Sequence, residues 1–121
     1  MDKQRSFTSL SKGYMPRLRD RMSNAEDCVD LEKHFSFLAV DFVNHALPER
    51  AVPAGPEDII FDPNSKRRFS VSNALLDSDD FRELWRNSDL PHLITKMAES
   101  AYGRYLHLNK HTAKTEKKIR N

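Results

Sequence analysis

Apolar residues change spacing several times along the chain, and each change marks an element. From about Asn24 to Leu47, the residues Leu31, Phe35, Leu38, Ala39, Phe42 and Ala46 share one helical arc at about 100° per residue. Val29, Val40, Val43 and Leu47 widen that arc to about 200°, more than one surface stripe, so this segment is predicted to be the central helix. Ser23 and Glu26 stand ahead of it with the S-x-x-E spacing of a capping box. Pro48, Pro53 and Pro56 then end the helical period and pre-set an extended loop. Beyond them Ile59, Ile60 and Phe61 form a short apolar run, Asp62-Pro63-Asn64-Ser65 is turn chemistry, and Arg68 to Ser72 alternates polar with apolar. A β-hairpin at about 58–72 follows from that pattern.

Ser72 or Asn73 can cap a short turn through Leu75 and Leu76. Ser78 can cap a helix over 79–87 that carries acids in its first turn and Phe81, Leu84 and Trp85 on its apolar face. Ser88-Asp89-Leu90-Pro91 reads as the start of a last helix, because proline is tolerated where its missing N–H would be unpaired anyway. Leu90, Leu93, Ile94, Met97, Ala98, Ala101, Tyr102, Tyr105 and Leu108 carry that helix to at least Asn109. Gly103 inside it costs about 1 kcal/mol relative to alanine and marks either close helix packing or an imperfect helix. The expected fold is mainly α with a small β-hairpin (α+β), three to four helices packed around the central helix at about 24–47. It comprises one globular domain at 23–108, with a basic arm at 1–22 and a basic tail at 109–121 that continues as an exposed helix.

Charge sharpens this division. The 121 residues have a formal net charge of +2, but residues 1–22 hold six basic side chains against two acidic ones, and residues 104–121 hold six against one. The segment between is therefore strongly acidic. Basic ends of this kind seek phosphates, anionic surfaces or the acidic face of another molecule. Cys28 is the single cysteine, which excludes an intramolecular disulfide and a cysteine-rich zinc site and suits a reducing, cytoplasmic setting. No apolar run approaches the roughly 18 residues of a membrane span. The Arg- and Ser-bearing opening resembles a transit peptide in composition, but Asp2 and Asp20 count against that reading.

Candidate chemistry is sparse. Asp30, His34, Asp41 and His45 fall within about 60° of each other on the central helix. His34 and His45 are roughly 16 Å apart along it and cannot share an ion, so a solvated stripe is the expected role. His107 and His111 have the H-x-x-x-H spacing of a metal pair, yet Leu108 stands where zinc hydrolases carry their glutamate base, and a surface pair in a basic stretch is expected. Lys66-Arg67-Arg68-Phe69-Ser70 places cations beside an aromatic ring, either as a nucleic-acid contact and kinase motif or as a charged edge with Phe69 turned to the core. Cys28 has no basic neighbour and is expected to be an inert thiol.

Arg86-Asn87-Ser88-Asp89-Leu90-Pro91-His92 resembles the R-x4-6-H signature of the HEPN ribonucleases. That resemblance implies an arginine holding an RNA phosphate and a histidine transferring a proton at a dimer interface of an all-helical protein, although the predicted hairpin departs from that architecture. With no Gly-rich phosphate loop and no nucleophile elbow, a small non-enzymatic regulatory or accessory module leads. It would contact nucleic acid through Lys12, Arg17, Arg19, Arg21, Lys66, Arg67, Arg68, Lys110, Lys114, Lys117, Lys118 and Arg120, with the 79–87 and 90–109 helices as a possible helix-turn-helix pair. No cofactor is called for. An assembly or protein-interaction module, in which another subunit completes the wide apolar arc, is the alternative, and a HEPN-like ribonuclease acting through Arg86 and His92 is the third reading.

Overall fold

The computed structural model describes the backbone of residues 6–120 and the side chains of residues 6–109. Among the described residues, five helices and a two-stranded antiparallel sheet make up the fold. The first helix, α1 (Thr8–Asn24), corrects the expected N-terminal arm. Ser11, Tyr14, Leu18, Met22 and Ala25 recur at intervals of three and four residues and are all buried, so one side of this segment belongs to the core. Burying a leucine such as Leu18 outright contributes about 1.5–3 kcal/mol, and only together with Tyr14, Met22 and Ala25 does this side offset the roughly 3 kcal/mol that Pro16 costs inside the helix.

The central helix, α2 (Cys28–Ala46), begins four residues later than the capping-box pattern predicts. Asp27 is its N-cap and accepts the Asp30 N–H at 2.8 Å, whereas Ser23 closes α1 by donating to the Arg19 carbonyl. Leu31, Phe35, Leu38, Ala39, Phe42, Val43 and Ala46 of α2 are buried between α1, the last helix and the sheet. The wide apolar arc is thus covered largely from within the chain.

Asn44 then pins the proline loop, donating to the Ala54 carbonyl and accepting the Ala54 N–H. The hairpin pairs β1 (Ile59–Phe61) with β2 (Phe69–Val71) in the register Ile59–Val71, Ile60–Ser70 and Phe61–Phe69. Ile59 and Phe61 face inward and Ile60 outward, as a period of two requires. Ser72 caps the single turn α3 (Asn73–Leu76), and Ser78 caps α4 (Asp79–Arg86). Trp85 of α4 stacks on Phe81 and meets Phe69 edge-on, joining the hairpin to this helix.

The last helix, α5 (Leu90–Arg120), has 31 residues. Its buried side runs from Leu90 through Leu93, Ile94, Met97 and Ala98 to Ala101, and from Tyr102 to Asn109 every residue is half-buried or exposed. A Cβ added at Gly103 would meet nothing within 4 Å, which removes close packing as the reason for that glycine.

Candidate functional site

The N-terminal turns of α1 and α5 are fastened together by one carboxylate. Phe7 occupies the N-cap of α1 and provides no side-chain cap, so the first donors of this helix need a partner from elsewhere. Asp89, at the start of α5, accepts the Phe7 N–H at 2.8 Å and the Ser6 and Thr8 hydroxyls at 2.9 Å each. Burial alone would push this carboxyl up, but the hydrogen bonds from Phe7, Ser6 and Thr8 outweigh it and hold the group below its ordinary range.

This fastening leaves a groove of about 350 Å³ between the two helices, lined by Thr8, Ser11, Lys12, Met15, Pro16, Arg19, Leu93 and Lys96. Three cations and no carboxylate border it. At about 100° per residue Lys12 and Arg19 lie on one face of α1, while Arg17 and Arg21 lie on the opposite one. The expected basic arm is therefore split. Arg17 sits over the Tyr14 ring at 5.2 Å, and Arg21 lines a different groove, against α2.

One turn back along α5, His92 lines a second depression of about 320 Å³ with Arg67, Ser88, Asp89, Pro91 and Thr95. Because residues four apart on a helix are neighbours, His92 and Lys96 join the two depressions into one strip. Arg67 and His92 line one of these depressions and Lys12, Arg19 and Lys96 the other. The HEPN-like reading pairs His92 with Arg86, whereas here the cation that shares its depression is Arg67, and Arg86 stands exposed at the end of α4 without lining that depression.

Other candidates are distributed elsewhere. Arg68 adopts φ 71°, with its guanidinium 3.8 Å from the centre of the Tyr102 ring and its Nη1 donating to the Pro63 carbonyl at 2.5 Å, so it braces the hairpin loop against α5. Phe69 is buried and does not offer a ring for base stacking. Lys66 is exposed on the same loop. His107 is exposed on α5, while the side chains of Lys110, His111, Lys114, Lys117, Lys118 and Arg120 lie outside the described residues. Among the described residues no group of three His, Cys, Asp or Glu side chains is placed to hold a metal ion.

The stripe on α2 is partly structural. Tyr14 donates its O–H to Asp41 Oδ2 at 2.7 Å, which leaves the Nδ1–H of His45 to donate to the Asp41 carbonyl and the Tyr14 oxygen, each at 2.9 Å. Burial, then the hydrogen bond to Asp41 and the charge of that carboxylate, pushes the Tyr14 phenol up to about 12. His34 and Asp30 form a separate pair at 3.9 Å. Cys28 is half-buried, and burial together with Glu32 and Asp27 raises its thiol, consistent with an unreactive side chain.

Along α2, with His34 of that stripe in its lining, runs the largest of these grooves, about 710 Å³, with the exposed side chains Val29, Phe37 and Ile60 on its walls. The sequence alone does not point to Lys96 or to Arg67 and His92 lining one depression. The i,i+4 spacing of His92 and Lys96 was the only local sign of the strip. No protein-family model matches the chain, and no curated protein or solved structure shows significant similarity to it. Among the described residues no helix is long and apolar enough to cross a membrane.

Proposed function

We propose that the chain is a small non-enzymatic accessory module that binds nucleic-acid backbone through the face shared by α1 and the N-terminal half of α5. The observation that carries this reading is the convergence of Lys12, Arg19 and Lys96 on one groove with no carboxylate in its lining. Arg67 and His92 extend the same strip. Cations in a row, held by rigid helices, suit the regularly spaced charges of a phosphate backbone and release counterions when they bind it. A reducing, cytoplasmic setting belongs to this reading and rests on the lone, unreactive Cys28.

The test is fluorescence anisotropy of the full chain with labelled single-stranded RNA and duplex DNA across a salt series. Binding is expected at low salt with an affinity that falls steeply as salt rises. Exchanging both Lys12→Glu and Lys96→Glu should weaken it at least about tenfold and flatten the salt slope by about two. Absence of binding to either nucleic acid at low salt overturns the reading. Assembly with a protein partner is the second reading, favoured by the exposed Val29, Phe37 and Ile60.

A further inference from the structure

The groove beside α2 stands apart from the cationic strip and carries an inference of its own. Val29 and Phe37 of α2 are each 61% exposed although nine other residues of that helix are buried, and Ile60, the outward residue of β1, is 46% exposed. Large apolar side chains gathered on one groove mark an interaction surface. Val29 and Phe37 are eight residues apart, about 12 Å on a helix, with Lys33 midway and one turn from each.

The rim is charged. Arg21 reaches the groove from α1, Lys33 stands between the apolar residues, and Glu32 is the one acid in the lining. The Ser36 hydroxyl is spent on the Ile59 carbonyl at 2.8 Å, and His34 is held by Asp30. What the groove offers an occupant is therefore two or three apolar contacts around a cation. A second copy related by a two-fold axis over this face would bring Lys33 against its own mate and bury like charges. A complementary occupant carries apolar anchors on both sides of a carboxylate.

We propose that this groove docks an acidic amphipathic helix of a partner protein, its apolar side chains against Val29, Phe37 and Ile60 and a carboxylate between Arg21 and Lys33. Helix-in-groove recognition uses anchors at i, i+3 or i+4 and i+7, a span of about 10.5 Å that is close to the roughly 12 Å between Val29 and Phe37.

The experiment is selection of a displayed library of random 16-residue peptides on the immobilised full chain, with the Phe37→Glu chain as counter-selection. An enriched peptide is then synthesised and titrated by anisotropy. Enrichment of sequences with apolar residues three to seven apart and an intervening Asp or Glu supports the proposal. So does an affinity loss of at least about tenfold in Phe37→Glu and in Val29→Asp, both exposed positions whose folding is checked by circular dichroism. Lys33→Glu should shift the enriched sequences from acidic to basic, a change that a merely structural residue would not produce. The proposal is overturned if no peptide is enriched over the Phe37→Glu chain, or if the enriched peptides lack acids. Sedimentation showing a dimer that Phe37→Glu dissociates would assign the groove to a second copy. Loss of single-stranded RNA binding in Phe37→Glu would assign it to nucleic acid.

Discussion

Leu18 of α1 is fully buried, whereas Leu106 of α5 is 47% exposed, although both belong to helical segments at the basic ends of the chain. In α1, Tyr14, Leu18 and Met22 make one buried side that packs on α2 and α5, and the cations occupy what remains of the circumference. In α5 full burial stops at Ala101, and Tyr102, Tyr105 and Leu108 beyond it pack only partly against the core, Tyr105 against the Phe61 ring. Equal charge therefore accompanies opposite structural roles, and what separates them is whether apolar residues recur at helical spacing among the charges. Cations are also split by use. Arg104 donates to the Ala25 carbonyl at 2.9 Å and Arg68 covers Tyr102, so both serve the fold, while Lys12, Arg19 and Lys96 are exposed along the groove between α1 and α5.

The largest test of this contrast is a pair of truncations of like size. Leu18→Ala should destabilise the chain by about 2–5 kcal/mol, since it leaves a cavity between helices, whereas Leu106→Ala should stay within about 0.5 kcal/mol. Urea unfolding followed by circular dichroism checks both. Similar losses at the two sites would mean that α5 beyond Ala101 is docked as firmly as α1.

Much of the fold was legible because local chemistry and tertiary packing agree in it. The hairpin, the Ser72 and Ser78 caps and the start of α5 at Leu90 all follow from turn and cap residues that keep the same role in the structure. The N-terminal segment was misread because Gly13, Pro16 and a majority of polar residues hide the Ser11-Tyr14-Leu18-Met22 spacing, and because the cap that starts α1 comes from Asp89, more than eighty residues away. Of the site, Lys12, Arg19 and Arg67 were named from sequence, but their meeting with Lys96 and His92 depends on how α1 and the hairpin loop dock on α5. No local pattern encodes that arrangement.

A second test uses pH to weigh the contacts that fasten α1. The Asp89 carboxyl is held below its ordinary value of 3.8, so its contribution is complete above that value and is lost as pH falls through the folded one. Tyr14 is raised from 10.0 to about 12, so its contribution is complete below pH 10 and is lost as pH rises toward 12. Asp89→Asn should cost about 1.5–3 kcal/mol at neutral pH and reduce the acid sensitivity of the melting temperature. Tyr14→Phe should cost about 1–2 kcal/mol and reduce the alkaline sensitivity. Acid and alkaline limbs unchanged by these substitutions would show that α1 is held by its apolar side alone.

The smallest effect separates the two helices most cleanly. Gly13 of α1 and Gly103 of α5 both lie in helices with no atom within 4 Å of an added Cβ, so alanine fits at either position without strain. Alanine restricts the unfolded chain and favours helix by about 0.5–1 kcal/mol at each site. That gain reaches global stability only where the helix folds and unfolds with the core. Gly13→Ala should therefore raise the melting temperature by about 2–4 °C, the shift expected of roughly 0.5–1 kcal/mol in a domain of this size. Gly103→Ala lies just past the last fully buried residue of α5, where Tyr105, Leu108 and the Arg104 bond to Ala25 hold the helix only partly to the core, so a smaller share of its gain should reach the melting temperature and the rest should appear as slower amide exchange around residues 103–109. An equal rise in melting temperature from both substitutions would place residues 102–109 inside the cooperative unit, and the contrast between the two basic ends would then begin further along α5.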